Sequence, residues 1–263
     1  MFEGKIAIVT GGATGIGAAT SRLLAKNGAH VVVTSEQPLE SLEPFCAGLR
    51  REGGSTDAVS CDVTDDAAIT ALMAEVDRRH GRLDILVNCA GLFRRAPLEQ
   101  MAAADIQAMF AVNALGPIML VRAALPLMRR GGGGAIVNVA SAAAVLSVEG
   151  CAAYAASKAA LAHFTRSLGP ELRRSGIRMN AVAPGSVRTA MVGFGGDELT
   201  PEQRQSLARR EASTLSPYGN PMMEPSDIAD VILYLASDAA RALQGSLVLA
   251  DQGISSAMAA PGG

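Results

Sequence analysis

Tyr154 and Lys158 stand four residues apart in the run Cys151-Ala-Ala-Tyr-Ala-Ala-Ser-Lys158. The flanking sequence is rich in alanine and favours helix, which puts both side chains on one face, a turn apart. A phenol then sits close to an ammonium. Tyrosine loses its proton near pH ~10 in water, and an adjacent cation favours the phenolate. A depression of about 3 units, roughly 4 kcal/mol, would bring that proton near neutrality. Such a tyrosine exchanges a proton with an alcohol or ketone at working pH. The same spacing also suits a Tyr and a Lys that merely pack and snorkel, so the rest of the chain has to decide.

The elements that would carry this pair alternate. Short apolar runs at Lys5–Thr10, His30–Thr34, Asp57–Ser60, Ile85–Asn88, Ala135–Ala140, Arg178–Ala183 and Ser246–Ala250 read as strands. Several are β-branched with little polar alternation, as expected of strands buried on both faces of a parallel sheet. Helical stretches fall near Gly15–Asn27, Leu39–Glu52, Asp65–His80, Ala103–Arg129, Ala152–Arg174 and Ser226–Ala236, with Gly28, Gly81, Gly131 and Gly176 where helices should stop. This pattern predicts a single α/β domain over 1–263: a Rossmann-type, doubly wound parallel sheet of about seven strands flanked by helices. The Gly- and Pro-punctuated segment 187–220 interrupts the alternation after a strand, where ligands bind in open α/β sheets, and reads as a substrate lid with Gly193, Gly195 and Gly196 as hinges.

Bulk properties narrow the class. A net charge of -2 and scattered basic doublets give no footprint for nucleic acid. Aromatic residues make up only 3% and Trp is missing, so Ala, Val, Leu and Gly must build the core. The four cysteines lack C-x-x-C spacing and histidine is scarce, which predicts reduced thiols and no structural zinc site. The opening Met-Phe-Glu-Gly-Lys is too short for a signal peptide, and no apolar run is expected to span a membrane. The expectation is a soluble, cytoplasmic protein.

Thr10-Gly-Gly-Ala-Thr-Gly-Ile-Gly17 links the first strand to the first helix. Gly11 permits the tight turn, Gly15 lets the backbone approach a pyrophosphate, and Gly17 allows close helix–strand packing. No Lys-Ser/Thr follows, which excludes a P-loop. With Asn88-Cys-Ala-Gly91 after the fourth strand, Asn113 in a helix, Ser141 after the fifth strand, Tyr154/Lys158, and Pro184-Gly185 after the sixth, the chain resembles the short-chain dehydrogenase/reductases from about residue 3 to residue 253. Cys89, where a second Asn is usual, and Asp251-Gln-Gly253, where Asp-Gly-Gly is usual, are its departures from the family pattern.

The resemblance implies hydride transfer between a nicotinamide cofactor and a secondary alcohol or ketone. Tyr154 would be the general acid/base, reached here from spacing as well. Lys158 would lower the Tyr154 pKa and hold the nicotinamide ribose, Ser141 would orient the substrate oxygen, and Asn113 would fix a kinked helix turn and a water relaying protons to Lys158. Asp62-Val63 would flank the adenine, with an N-cap box between Asp62 and Asp65 as the plain alternative. Asn88, Ala90 and Gly91 would line the ribose and nicotinamide side, Val187 and Thr189 beyond Pro184-Gly185 would meet the carboxamide and pyrophosphate, and Thr14 and Ile16 belong to the glycine loop. At the end of the second strand, Ser35 occupies the family's usual Asp position, Glu36 a position often Arg in NADP-users, and Thr14 replaces the Arg or Lys of many NADP enzymes. That favours NAD, with NADP still open.

Competing readings are weaker. A hydrolase lacks its G-x-S-x-G elbow, and a scaffold that only senses dinucleotide would not need both Tyr154 and Lys158. A 3-oxoacyl-acyl-carrier-protein reductase using NADPH stays the alternative: Arg129-Arg130 and Arg173-Arg174 close two long helices where such reductases meet an acidic carrier, although helix dipoles favour cations there anyway. Those helices also resemble the ones that pair into homotetramers, with Ala155, Ala159, Ala162 and Met119 expected on the outside.

Overall fold

The computed structural model describes residues 1–192 and 222–256. Seven strands form one parallel sheet: β1 (Ile6–Thr10), β2 (His30–Ser35), β3 (Ser55–Ser60), β4 (Ile85–Asn88), β5 (Gly134–Val139), β6 (Ile177–Pro184) and β9 (Leu247–Ala250), in the order β3-β2-β1-β4-β5-β6-β9. Strand order reverses between β1 and β4, and their carboxyl ends open a crevice there. The expected strands are all present. The edge strand β3 begins earlier than predicted, at Ser55, because its pairing with His30 of β2 overrides a sequence that carries no apolar signal.

Alternate residues along each strand feed two cores. Ala7, Val9, Val31 and Val33 pack with α1 (Gly15–Lys26) and α7 (Pro225–Ala236); Ile8, Val32, Leu86 and Ile136 pack with α3 (Asp66–His80) and α5 (Gly116–Arg130). Burial on both faces makes the strands read as continuous apolar runs. The remaining helices are α2 (Leu39–Arg51), α4 (Ala103–Phe110) and α6 (Ala152–Leu172).

The predicted helix Ala103–Arg129 is one rod broken by a π-helical turn at Ala111–Leu115. Pro117 has no N–H to offer the Asn113 carbonyl four residues back, so the α ladder cannot close there. Contrary to the sequence expectation, this rod of 28 residues (Ala103–Arg130) is long and apolar enough to cross a membrane. Its face carrying Leu120, Val121, Ala124, Leu127 and Met128 is buried against the sheet and α3. Of the predicted helix stops, Gly28, Gly81 and Gly176 take left-handed φ, whereas Gly131 stays helical and Gly132 makes the turn. The expected lid falls, from Gly193 onward, outside the described residues. Its near end is pinned: β7 (Ser186–Val187) pairs in parallel with β8 (Met222–Met223).

Candidate active site

A cleft of about 860 Å³ runs along the carboxyl ends of the strands. The glycine loop forms one wall. Gly11 and Gly15 adopt φ of +61° and +50°, and a Cβ on Gly17 would lie 2.1 Å from the Gly11 carbonyl oxygen, so α1 can approach β1 only through glycine. Thr14 gives α1 no side-chain cap and the first turn holds no acidic residue. The first-turn amides and the positive end of the helix therefore face the cleft, where a pyrophosphate fits. Gly12, not singled out from sequence, is as constrained: a Cβ there would meet the Val9 carbonyl oxygen at 2.6 Å.

Thr10 anchors the floor. Its buried hydroxyl accepts from the amides of Cys89 and Ala90, both at 3.0 Å, and so ties the end of β1 to the loop after β4. Ala90 and Gly91 line the cleft as expected, and a Cβ on Gly91 would project toward Lys158 Nζ at 3.6 Å. Asn88 does not line it. Its side chain is buried beneath, donating to Asn138 Oδ1 at 2.7 Å, while Asn138 donates to Thr165 on α6 at 2.8 Å. The strand pleat sends Asn88 sideways into β5, so it braces β4, β5 and α6 from below.

At the far end, Ser35 and Glu36 line the cleft, and Ser35 Oγ accepts from the Gln37 amide at 3.1 Å. Asp62 and Val63 face them. Asp62 closes a local turn by accepting from the Thr64 amide and hydroxyl, both at 2.8 Å, while the helix cap belongs to Asp65, which accepts from Ala67 N. The box between Asp62 and Asp65 therefore does not form. Pro184, Gly185, Val187 and Thr189 complete the opposite rim with Met191.

Ser141, Tyr154 and Lys158 converge at the centre. Ser141 caps a short turn by accepting from Ala143 N at 3.2 Å, and its hydroxyl lies near enough to the Tyr154 phenol to favour the phenolate. Phe93 packs edge-on against Tyr154, with ring centroids 4.8 Å apart. The spacing of Tyr154 and Lys158 suggested a phenol lowered by its neighbour; the structure gives the opposite direction. Burial pushes the Tyr154 phenol up, with the Ser141 hydroxyl opposing it. Burial likewise draws the Lys158 ammonium down, to about 8, against a smaller upward pull from Cys89. The cause is shared: one enclosure desolvates both groups, and the ammonium turns to the Val139 carbonyl at 2.8 Å.

Asn113 sits in the π turn, fully buried, and does not reach the cleft wall. It clamps Leu92 instead, accepting from its amide and donating to its carbonyl, both at 2.8 Å, and also donates to Ser157 Oγ at 3.0 Å. It thus sets the loop that carries Phe93 over Tyr154. Cys89, in place of the family's Asn, lines the cleft as a thiol that burial pushes up to about 12. Gln252, in place of Gly, takes a left-handed φ of 54° beside Asp251, which accepts from Gly253 N and Ser255 N.

Known proteins resemble the chain along almost its whole length. A family model described as enoyl-(acyl carrier protein) reductase matches residues 11–255. The chain is 40% identical to 2,3-dihydro-2,3-dihydroxybenzoate dehydrogenase of Bacillus subtilis, over 90% of each chain. It is 37% identical to 3-oxoacyl-[acyl-carrier-protein] reductase of Thermotoga maritima, over 96% of this chain and 98% of the relative. A crystal structure from Burkholderia xenovorans, described as that of a short-chain dehydrogenase/reductase, superposes with a TM-score of 0.86 at 31% identity, covering 98% of this chain and 99% of that one. The glycine cradle, the Ser141–Tyr154–Lys158 centre and these likenesses identify the chain as a member of the short-chain dehydrogenase/reductase family, an oxidoreductase acting on CH–OH groups.

Proposed function

We propose that the protein interconverts a small secondary alcohol and its ketone with NAD, with Tyr154, Ser141 and Lys158 as the catalytic set and Asn113 positioning them. The observation that carries this reading is the meeting of the Ser141 hydroxyl, the Tyr154 phenol and the buried Lys158 ammonium at the centre of the cleft. A bound nicotinamide supplies or accepts the hydride. Ser141 and Tyr154 hold the substrate oxygen between two hydroxyls. Because its pKa is raised, Tyr154 keeps its proton at neutral pH and is ready to give it to a ketone oxygen. Lys158 lies below with its ammonium already fixed by Val139, placed to donate to ribose hydroxyls. Phe93 and Leu92 exclude water from one side.

Preference for NAD rests on the charges around the cleft. Among its described lining residues Glu36 and Asp62 stand at the adenosine end, and Lys158, at the centre, is the sole cation. A 2′-phosphate would meet carboxylates and no partner. Thermal shifts with NADH and NADPH test this, and a larger stabilisation by NADPH overturns it.

The acyl-carrier alternative is less well supported by the helix ends. Arg130 is paired with Asp77 at 2.6 Å and Arg129 donates to Ser175 at 3.3 Å, so both are engaged within the chain. Initial rates with alcohols, polyols, steroids and acyl thioesters separate the two readings. Four free thiols suit a reducing cytoplasm. A homotetramer built on the long helices is supported by the exposed stripe Ala152, Ala156 and Ala160 on α6 and by Leu115, 58% exposed; Ala155, Ala159, Ala162 and Met119, expected outside, are half-buried. Sedimentation velocity tests that assembly.

A further inference from the structure

At the opposite end of the sheet from the cleft, three side chains distant in sequence meet. His30 opens β2, Asp57 lies in the edge strand β3, and His80 ends α3. Asp57 Oδ2 is 3.0 Å from His30 Nε2 and 3.4 Å from His80 Nε2. One ligand atom from each side chain falls within 4.8 Å of the other two. A tetrahedral ion with nitrogen and oxygen ligands at roughly 2.0–2.2 Å separates neighbouring ligand atoms by roughly 3.3–3.6 Å. The observed spacings bracket that value.

The surroundings have the form of an outer shell. His30 Nδ1 is held by Ser55 Oγ at 2.7 Å, which fixes the ring and leaves Nε2 turned inward. Asp57 Oδ1 is taken by Arg79 at 3.1 Å, leaving Oδ2 for the two imidazoles. Arg79 is the cation facing the cluster, and it is shared with Glu75, which also pairs Arg78. His80 Nε2 is sealed from solvent and makes no well-aligned hydrogen bond, its nearest partner being Asp57 Oδ2 at 3.4 Å. The two rings lie 4.4 Å apart, tilted by 49°, so they converge on the carboxylate rather than stack flat. The three side chains keep 15–22% exposure, enough for an ion to enter and for a water to complete its shell.

We propose that His30, Asp57 and His80 form a site for a divalent transition-metal ion of the zinc type, which clamps edge strand β3 and the end of α3 to β2. Two imidazole nitrogens, which are borderline donors, beside one hard carboxylate suit zinc or cobalt rather than magnesium or calcium. The ion has no part in hydride transfer. It fastens the outermost strand, which pairs on one side only.

The test uses the full, tag-free chain titrated with Co²⁺ and then with Zn²⁺. The expected result is one equivalent of cobalt with strong visible ligand-field bands of tetrahedral type, displaced by zinc, and a thermal midpoint that rises with zinc concentration. His80→Gln and His30→Gln should each weaken cobalt binding at least tenfold, while His163→Gln, the chain's one histidine outside the cluster, should leave it unchanged. NADH binding confirms that each variant is folded. Weak octahedral bands alone, or binding that persists in His80→Gln, overturns the proposal; if that variant does not fold, the wild-type spectrum alone decides.

Discussion

Lys158 Nζ donates to the Val139 carbonyl at 2.8 Å, so the cation of the active centre is anchored to the last residue of β5 rather than to the tyrosine one turn before it. A single backbone oxygen compensates only part of the desolvation, and the ammonium is drawn down to about 8. The consequence for stability has a definite sign. Between about 8 and the ordinary lysine value the unfolded chain binds the proton and the folded chain does not, so stability rises with pH across that window. Below it, the buried charge costs about 3 kcal/mol. Lys158→Met should therefore raise the midpoint of thermal unfolding at pH 7 and flatten its rise toward alkaline pH, while abolishing turnover. Calorimetry from pH 7 to 10 checks this; a lowered midpoint at pH 7 contradicts it.

The same ammonium should govern dinucleotide affinity. In the wild type, Kd for NADH should increase as pH climbs through about 8, where Lys158 ceases to be charged in the free protein. Titration by nicotinamide fluorescence suits a chain without Trp, and a flat profile argues against the assigned role.

Tyr154→Phe should retain the fold and NADH binding and lose turnover by about two to four orders of magnitude. The Ser141 hydroxyl lowers a phenol that burial has raised, so Ser141→Ala should move the rising limb of alcohol oxidation, where Tyr154 must lose its proton, to higher pH. Rate profiles for the two variants separate loss of the acid from mistuning of it.

Thr10→Val keeps the shape but strands two half-buried amides, Cys89 N and Ala90 N, that now share one hydroxyl. A loss of about 1–3 kcal/mol in urea unfolding is expected, together with weaker NADH binding because the loop at Ala90 and Gly91 loosens.

Gln252 holds a left-handed φ of 54° where glycine would be unstrained. Gln252→Gly should stabilise the protein by about 0.5–1 kcal/mol, read as a higher urea midpoint with an unchanged slope; a lower midpoint would mean the glutamine side chain contributes more than the strain removes.

Much of the molecule could be read along the chain because the signals are local. Apolar runs of strand length, glycine at helix ends and the four-residue step from Tyr154 to Lys158 depend only on the periods of helix and strand. These determined the parallel sheet, the glycine cradle of Gly11, Gly15 and Gly17, and the shared face of Tyr154 and Lys158. Distances between strands far apart in sequence, and the burial they create, were decided by the fold alone. Pleat and register sent Asn88 into Asn138 instead of the cleft. Enclosure reversed the direction expected for the Tyr154 phenol. The pairing of β2 with β3, with α3 laid alongside, gathered His30, Asp57 and His80 into one cluster, which no spacing along the chain could announce.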